Sequence, residues 1–357
     1  MSRSTQLATS SAESSSPYIP PELISLILAT LWEGPHSSEE QSAVLKNIAL
    51  VNRTWLTLVA RITSRDAHIF NHRTANTFLR LLRAPSPIEL KEPLDPFSTM
   101  EANLCADEMC RSITFHVDGS PSPGSLSKDT DRVPAIPSQW SSPAADAFNA
   151  ISLVLDMVLG LNHVPNLRHI SLRFTDWAYD EIFDLLEEGT FPRQVTHLSI
   201  DYSFTTPAVA PPFEFYMILR WAGMHFGRIP PLVPNVRHLS LSGVTTAFVA
   251  VMLQVCPNVE TLEITNPAQL IALVPLNPAV RTLVLRHPGI ALSRKTMTSW
   301  TLFSALDAGL FLSGTKPRII VRSGTPEPVA FIGLRRSCKR FNADLVYERD
   351  DTRSRSC

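Results

Sequence analysis

The sequence predicts an α/β fold in which an N-terminal three-helix segment precedes a repeat solenoid, with a parallel sheet on its concave face and helices outside. Five segments obey the pattern apolar-x-x-apolar-x-apolar, and amphipathic helical patterns lie between them. Parallel strands require crossovers of this kind, and repetition extends the sheet along one direction. A chain of 357 residues with 44% hydrophobic residues can bury the core that such an architecture needs.

Three short helices are predicted between residues 18 and 62, after a polar tail at 1–17. Pro21 suits a first helical turn, and apolar residues follow at helical spacing as far as Gly34 and Pro35. Ser37-x-x-Glu40 is a capping box for the second helix, and the third begins at about Asn52. Three short helices bury little surface alone, so we expect them to need a partner or the rest of the chain.

The repeat array is predicted over 63–347, before a C-terminal tail at 348–357. The first apolar positions of the five segments are 167, 195, 236, 259 and 280, which gives steps of 28, 41, 23 and 21 residues. Three of these four steps lie within the period of about 20–29 residues that leucine-rich repeats have. The sequence therefore predicts a leucine-rich-repeat-like solenoid.

Weaker strand patterns extend the array on both sides, at 67–70, 110–115, 318–321 and 344–347. Helices are predicted at 74–82, 144–159, 176–188, 213–222, 246–255 and 297–312. Two Pro/Ser-rich stretches, about 85–97 and 119–143, are predicted insertions because their composition cannot form a packed core.

Apolar and polar positions in the predicted N-terminal helices carry a resemblance to a known family. These positions are Ile19, Pro20, Glu22, Leu23, Ile27, Leu45, Ala49, Val51 and Trp55. They match the Leu-Pro-x-Glu-Leu…Ile opening and the Leu…Val-Cys-x-x-Trp signature of the F-box, which this segment resembles. Asn52 stands where that family usually has Cys. With its repeat array, the chain is similar to F-box-like proteins that occur in large numbers in fungi.

The resemblance implies that these positions pack against a Skp-type adaptor protein and, through it, a cullin. The expected function is that of a non-catalytic substrate-recognition adaptor of an SCF-type ubiquitin ligase, with the repeat array binding an unknown protein substrate. The alternative is a leucine-rich-repeat scaffold for protein–protein interaction without a role in ubiquitination, in which the helices form a cap.

Alternate residues of the predicted strands point outward to the concave face, where we expect substrate binding. The expected substrate-binding residues are His169, Arg173, His197, Asp201 and His238. A ladder of three histidines spreads its rings instead of converging them, so we expect no metal site. We expect Leu172, Ile200, Leu241, Ile264 and Leu285 to be buried, and Ser171, Ser199, Ser240 and Glu263 to be exposed.

Composition and motifs argue against several other functions. A formal net charge of -1 provides no field to attract nucleic acid or an anionic membrane. The sequence contains no nucleophile elbow, P-loop or dinucleotide fingerprint, so we expect neither an enzyme nor a cofactor. Five cysteines form no even disulfide framework, and we expect a reduced chain in the cytoplasm, the nucleus or both.

Overall fold

The computed structural model describes the chain in segments: 19–33, 38–83, 106–118, 151, 164–176, 191–204, 232–287, 298, 300–311 and 316–349. These residues divide after Ile62 into two compact units, an N-terminal helical unit and a C-terminal sheet unit. The predicted tail at 1–17 and both Pro/Ser-rich insertions lie outside the described residues. So do the predicted helices at 144–159, 176–188 and 213–222, apart from single residues at 151 and 176.

The described residues of the N-terminal unit form three helices, α1 (Pro21–Glu33), α2 (Ser38–Ala49) and α3 (Arg53–Arg65), and the last turn of α3 continues past the boundary at Ile62. Asn52 caps α3, because its Oδ1 atom accepts a hydrogen bond of 3.1 Å from the backbone N–H of Trp55. The small core of the unit is formed by Ile24, Leu28, Ile48 and Val59. A core of this size buries little apolar surface, as expected for three short helices.

Within its described residues the sheet unit contains nine strands, all parallel, that lie side by side in chain order. They are β1 (Asp66–Ile69), β2 (Ser112–Asp118), β3 (His169–Thr175), β4 (His197–Ser203), β5 (His238–Ser242), β6 (Thr261–Thr265), β7 (Thr282–His287), β8 (Arg318–Ser323) and β9 (Asp344–Arg349). The predicted parallel α/β fold is confirmed, and this strand order is compatible with a solenoid-like repeat. Strand β9 ends at Arg349, beyond the predicted end of the array at 347.

Helices connect or flank these strands in the described residues. They are α4 (His72–Arg83), α5 (Ala106–Met109), α6 (Thr246–Val255), a 3₁₀ helix (Leu270–Leu273), α7 (Leu302–Asp307) and α8 (Ala330–Arg340). Within the helix predicted at 297–312, the described residues form α7 only over Leu302–Asp307, and 297, 299 and 312 lie outside the described residues. Within the described part of the chain, no helix has both the length and the apolar character needed to cross a membrane.

The core of the sheet unit lies on one face of the sheet. The five predicted core residues are all buried: Leu172, Ile200, Leu241, Ile264 and Leu285. Because side chains alternate between the two faces of a strand, the residues between them point to the opposite face. That opposite face is where the predicted binding residues lie.

Side-chain amides hold successive repeats in register at the start of the strands. Asn258 Nδ2 donates 2.8 Å to the carbonyl of Pro234, and Asn277 Nδ2 donates 2.8 Å to that of Pro257. Gln194 does the same toward Val164, at 3.1 Å. Each bond satisfies a carbonyl of the preceding repeat that no strand pairing uses.

Candidate functional site

The first candidate surface is an apolar face on α1 that the helical unit leaves uncovered. Four large apolar side chains are exposed on the helix, Leu23, Leu26, Ile27 and Leu31, and a fifth, Ile19, is exposed two residues before it. At about 100° per residue the four helical residues form one broad stripe that lies next to the buried Ile24 and Leu28. We call these five residues the apolar face of α1. Leu50 and Val51, in the turn after α2, are also exposed, at 84% and 53%.

The nine residues predicted to contact the adaptor differ in exposure: six are exposed, two are half-buried, and the side chain of one is not described. Ile19, Pro20, Glu22, Leu23, Ile27 and Val51 are exposed. Leu45 and Trp55 are half-buried and pack against the core of the unit, which leaves only part of each available to a partner. Ala49 lies at the end of α2, and its side chain is not among those described.

The predictions missed three exposed apolar residues of this unit, Leu26, Leu31 and Leu50. Leu26 lies three positions after Leu23, and Leu31 lies four positions after Ile27. Helical periodicity would have placed both on the face of Leu23. No comparable signal in the sequence marks Leu50, because its exposure depends on how the turn after α2 is packed.

The second candidate surface is the face of the sheet opposite the core, which we call the polar face. Strand register arranges its side chains in three rows. Row 1 is Asp66, Ser112, His169, His197, His238, Thr261, Thr282, Arg318 and Asp344. Row 2 is His68, Thr114, Ser171, Ser199, Ser240, Glu263, Val284, Ile320 and Val346. Row 3 is His116, Arg173, Asp201, Ser242, Thr265, Arg286, Arg322 and Glu348.

The five predicted substrate-binding residues are brought together on this face. They come from β3, β4 and β5, and their register pairs are His169 with His197, Arg173 with Asp201, and His197 with His238. His197 is exposed and the other four are half-buried. The predicted histidine ladder is therefore present, with His197 and His238 stacked at a ring distance of 5.0 Å.

Two further histidines, His68 and His116, extend the imidazole surface to β1 and β2. His68 Nδ1 and His116 Nε2 are 2.9 Å apart and share a hydrogen bond. The ring of Phe70 stacks on His116 with centroids 4.2 Å apart. The sequence contained weak strand patterns at these positions, but only the register of β1, β2 and β3 shows that the two histidines lie in rows 2 and 3, next to the ladder in row 1.

Burial lowers the pKa of every histidine on this face. Desolvation, together with the charge of Arg173, lowers the pKa of His68 to about 4. For His116 burial is again the main cause, followed by His68 and Arg173, and its pKa falls to about 3. The pKa of His238 falls to about 4, mainly by burial and then by the imidazoles of His197 and His169. At neutral pH the imidazoles therefore act as uncharged hydrogen-bonding groups.

The C-terminal half of the polar face contains a network of ion pairs centred on Glu263. This carboxylate lies 3.2 Å from Arg322 Nη1 and 3.7 Å from Arg286 Nη1. Arg322 also contacts Glu348 at 2.9 Å, and Arg318 contacts Glu348 at 3.8 Å. His238 Nε2 lies 4.0 Å from Glu263 Oε2. Because this imidazole is uncharged at neutral pH, the contact is not an ion pair. These charges are already compensated within the chain.

The expectation that Glu263 and Ser171 are exposed is wrong. Their exposed fractions are 7% and 8%, although both point to the polar face. For Glu263 the reason is that Arg286 and Arg322, on the two following strands, reach across row 2 to its carboxylate. A buried carboxylate is stable only when it is paired in this way. Ser199 and Ser240 are half-buried.

In the segments that the structure describes, no group of three or more His, Cys, Asp or Glu side chains is arranged to hold a metal ion. No protein-family model matches the chain, and no curated protein or solved structure is significantly similar to it.

Proposed function

We propose that the chain is a substrate-recognition adaptor of a Skp–cullin–F-box ubiquitin ligase. In this proposal the N-terminal unit is an F-box that binds the Skp-type adaptor, and the sheet unit is a leucine-rich-repeat-like array that captures a protein substrate. The observation that carries the proposal is the apolar face of α1. It includes Ile19, Leu23 and Ile27, three positions at which the sequence resembles the family's opening motif.

An uncovered apolar face of this kind supports a role in protein binding. Leu23 and Leu26 expose 51% and 61% of their surface, and exposed apolar side chains in a contiguous patch are characteristic of interaction surfaces. A partner that covers them removes apolar surface from water, at about 25 cal/mol per Å². In the unit by itself these side chains remain exposed to water, so a partner that covers them gains this free energy.

The polar face supports the second half of the proposal. Its histidine, serine, arginine and aspartate side chains can form several neighbouring hydrogen bonds to a protein chain. The mechanism is proximity: the ligase supplies activated ubiquitin, and the array holds a substrate lysine nearby and raises its effective concentration. The chain itself supplies no reacting group in this mechanism.

The proposal is tested by co-purification with a Skp-type adaptor. Leu23→Asp should leave the thermal unfolding midpoint unchanged, because Leu23 lies outside the core of the unit. In the complex the substitution would bury an unpaired carboxylate, which costs at least about 2 kcal/mol, or about 30-fold in affinity. The measurement is the amount of adaptor retained by each purified variant.

Ile332→Asp on α8 is the matched control, because Ile332 is 50% exposed, close to the 51% of Leu23, but lies in the sheet unit. This variant should retain the adaptor at the wild-type level. Retention of the adaptor by a folded Leu23→Asp variant contradicts the proposed contact. A wild-type chain that binds no adaptor, yet captures a protein on its polar face, is instead a repeat scaffold without a ubiquitination role.

A further inference from the structure

Arg173 differs from the other arginines in rows 1 and 3 of the polar face. Arg286, Arg318 and Arg322 each lie within 3.8 Å of a carboxylate. The guanidinium of Arg173, by contrast, forms no ion pair or side-chain hydrogen bond in the described part of the chain. A half-buried guanidinium has lost part of its hydration, so an anionic partner stabilises it more than it would a fully hydrated one.

The charge of Arg173 acts on the β1–β3 side of the polar face. It contributes to the lowered pKa values of His68, His116 and His169. Asp201 is its register partner on β4, yet the two side chains form no ion pair. The guanidinium therefore lies among uncharged imidazoles, and no carboxylate of the described residues is bound to it.

Two hydroxyl groups border the same position. Thr114 and Ser171 are register partners in row 2, and each is only 8% exposed. On their strands they lie two residues before His116 and Arg173 and point to the same face. Neither hydroxyl forms a hydrogen bond in the described segments, and neither is completely sealed from solvent. A nearly buried hydroxyl without a partner costs free energy, which an incoming acceptor would recover.

We propose that Arg173, Thr114 and Ser171 form a binding site for one oxyanion group, a carboxylate or a phosphate, carried by the protein captured on the polar face. The guanidinium supplies the positive charge and two parallel N–H donors to the oxyanion. The hydroxyls of Thr114 and Ser171, in row 2, donate further hydrogen bonds to it. Because the surrounding imidazoles are neutral, the site contains one positive charge and is suited to a single anionic side chain. This inference rests on the proposed capture of a substrate by the array.

The C-terminal half of the face is unsuited to the same role. Glu263 and Glu348 already occupy Arg286, Arg318 and Arg322, so an incoming anion would have to displace a paired carboxylate. Displacement leaves a buried carboxylate unpaired, which is strongly unfavourable. The asymmetry assigns the acidic or phosphorylated side chain of a partner to β2 and β3.

The test is a titration of the full chain, labelled with ¹³C at its histidine rings, with sodium phosphate and separately with sodium acetate. Sodium chloride at matched ionic strength is the reference. The ring signals of His116 and His169 should shift and saturate with at least one of the two anions, whereas the signal of His287, on β7, should follow the chloride reference. Saturation with phosphate alone assigns a phosphorylated side chain, and saturation with acetate assigns a carboxylate.

Arg173→Gln removes the charge and should abolish the saturable shift. Ser171→Ala should weaken binding of the anion several-fold. Arg318→Gln is the matched control, because Arg318 lies on the same face but is paired with Glu348, and it should titrate like the wild type. Absence of a saturable shift with both anions, or an unchanged titration of the folded Arg173→Gln variant, overturns the site. The titration uses neither adaptor nor substrate, so its result is independent of the co-purification experiment.

Discussion

Gly243, directly after β5, is a residue at which the backbone admits only glycine. Its φ is +67°, in the left-handed region that other residues rarely adopt. A Cβ atom at this position would overlap the carbonyl oxygen of Tyr202 on the neighbouring strand. Backbone atoms of a paired strand cannot move aside without disturbing the sheet. The close approach of β4 and β5 therefore depends on this glycine.

Gly243→Ala should accordingly lower the free energy of unfolding by at least about 1–3 kcal/mol. Chemical denaturation of the two proteins, followed by circular dichroism, measures the difference. Gly333→Ala is the matched control, because a Cβ atom there meets nothing within 4 Å and the residue lies inside α8. That variant should be stabilised by up to about 1 kcal/mol. Equal effects of the two substitutions would contradict the steric explanation.

Asn52 has a structural role at the start of α3, because its side chain caps this helix through the N–H of Trp55. Asparagine is among the strongest N-cap residues, and its replacement by Ala costs about 1 kcal/mol. The same hydrogen bond holds the start of the helix that carries Trp55, which packs against the small core of the unit.

At the scale of the strand, alternation separates core from surface. Leu241 is fully buried in β5, and its neighbour Ser240 is half-buried on the polar face, where its hydroxyl forms no hydrogen bond with the described residues. Leu241→Ala should cost about 2–5 kcal/mol through lost transfer energy and a cavity, and Ser240→Ala less than about 0.5 kcal/mol. Denaturant midpoints of both variants measure this contrast. Similar losses in the two variants would contradict the assigned alternation.

The turns before the strands explain why proline and a polar side chain recur there. Asn277 Oδ1 accepts 2.9 Å from the N–H of Ala279, while its Nδ2 donates to the carbonyl of Pro257 in the preceding repeat. One side chain thereby shapes its own turn and links two repeats. The recurring proline was visible in the sequence. Only the structure shows that the side-chain amide donates its hydrogen bond to the preceding repeat.

At the scale of the whole sheet unit, the histidines make stability dependent on pH. An unfolded imidazole has a pKa of about 6.5, whereas in the folded chain the pKa is about 4 for His68 and about 3 for His116. Between these values the unfolded state binds more protons. The free energy of unfolding should therefore fall as the pH decreases from about 6.5 toward 4, and the contribution of these residues is constant above 6.5.

Thermal unfolding measured from pH 7.5 down to 4.5 checks this expectation, with His116→Gln as the informative variant. Removing a buried imidazole should flatten the acid-side decline relative to the wild type. Carboxylates contribute a decline of their own in the same range, so the comparison is between slopes and not between absolute midpoints. An acid-side slope in His116→Gln equal to that of the wild type would contradict burial of the neutral ring.

The sequence by itself determined where the strands lie and which of their residues face the core, because both follow from local periodicity. It also placed His169, Arg173, His197, Asp201 and His238 on one face, since equal spacing within each repeat implies register. Local spacing further identified the helices of the N-terminal unit.

Tertiary structure alone decided the chemistry of that face. Glu263 is buried because arginines from later strands reach its carboxylate. His68 and His116 are hydrogen-bonded beside the histidine ladder because β1 pairs with β2, in which Asp66 and Ser112 are 46 residues apart. That Arg173 forms no ion pair within the described segments is likewise a property of its neighbours on β2 and β4. Such contacts depend on cross-strand distances of a few ångströms between residues distant in the chain, which periodicity does not encode.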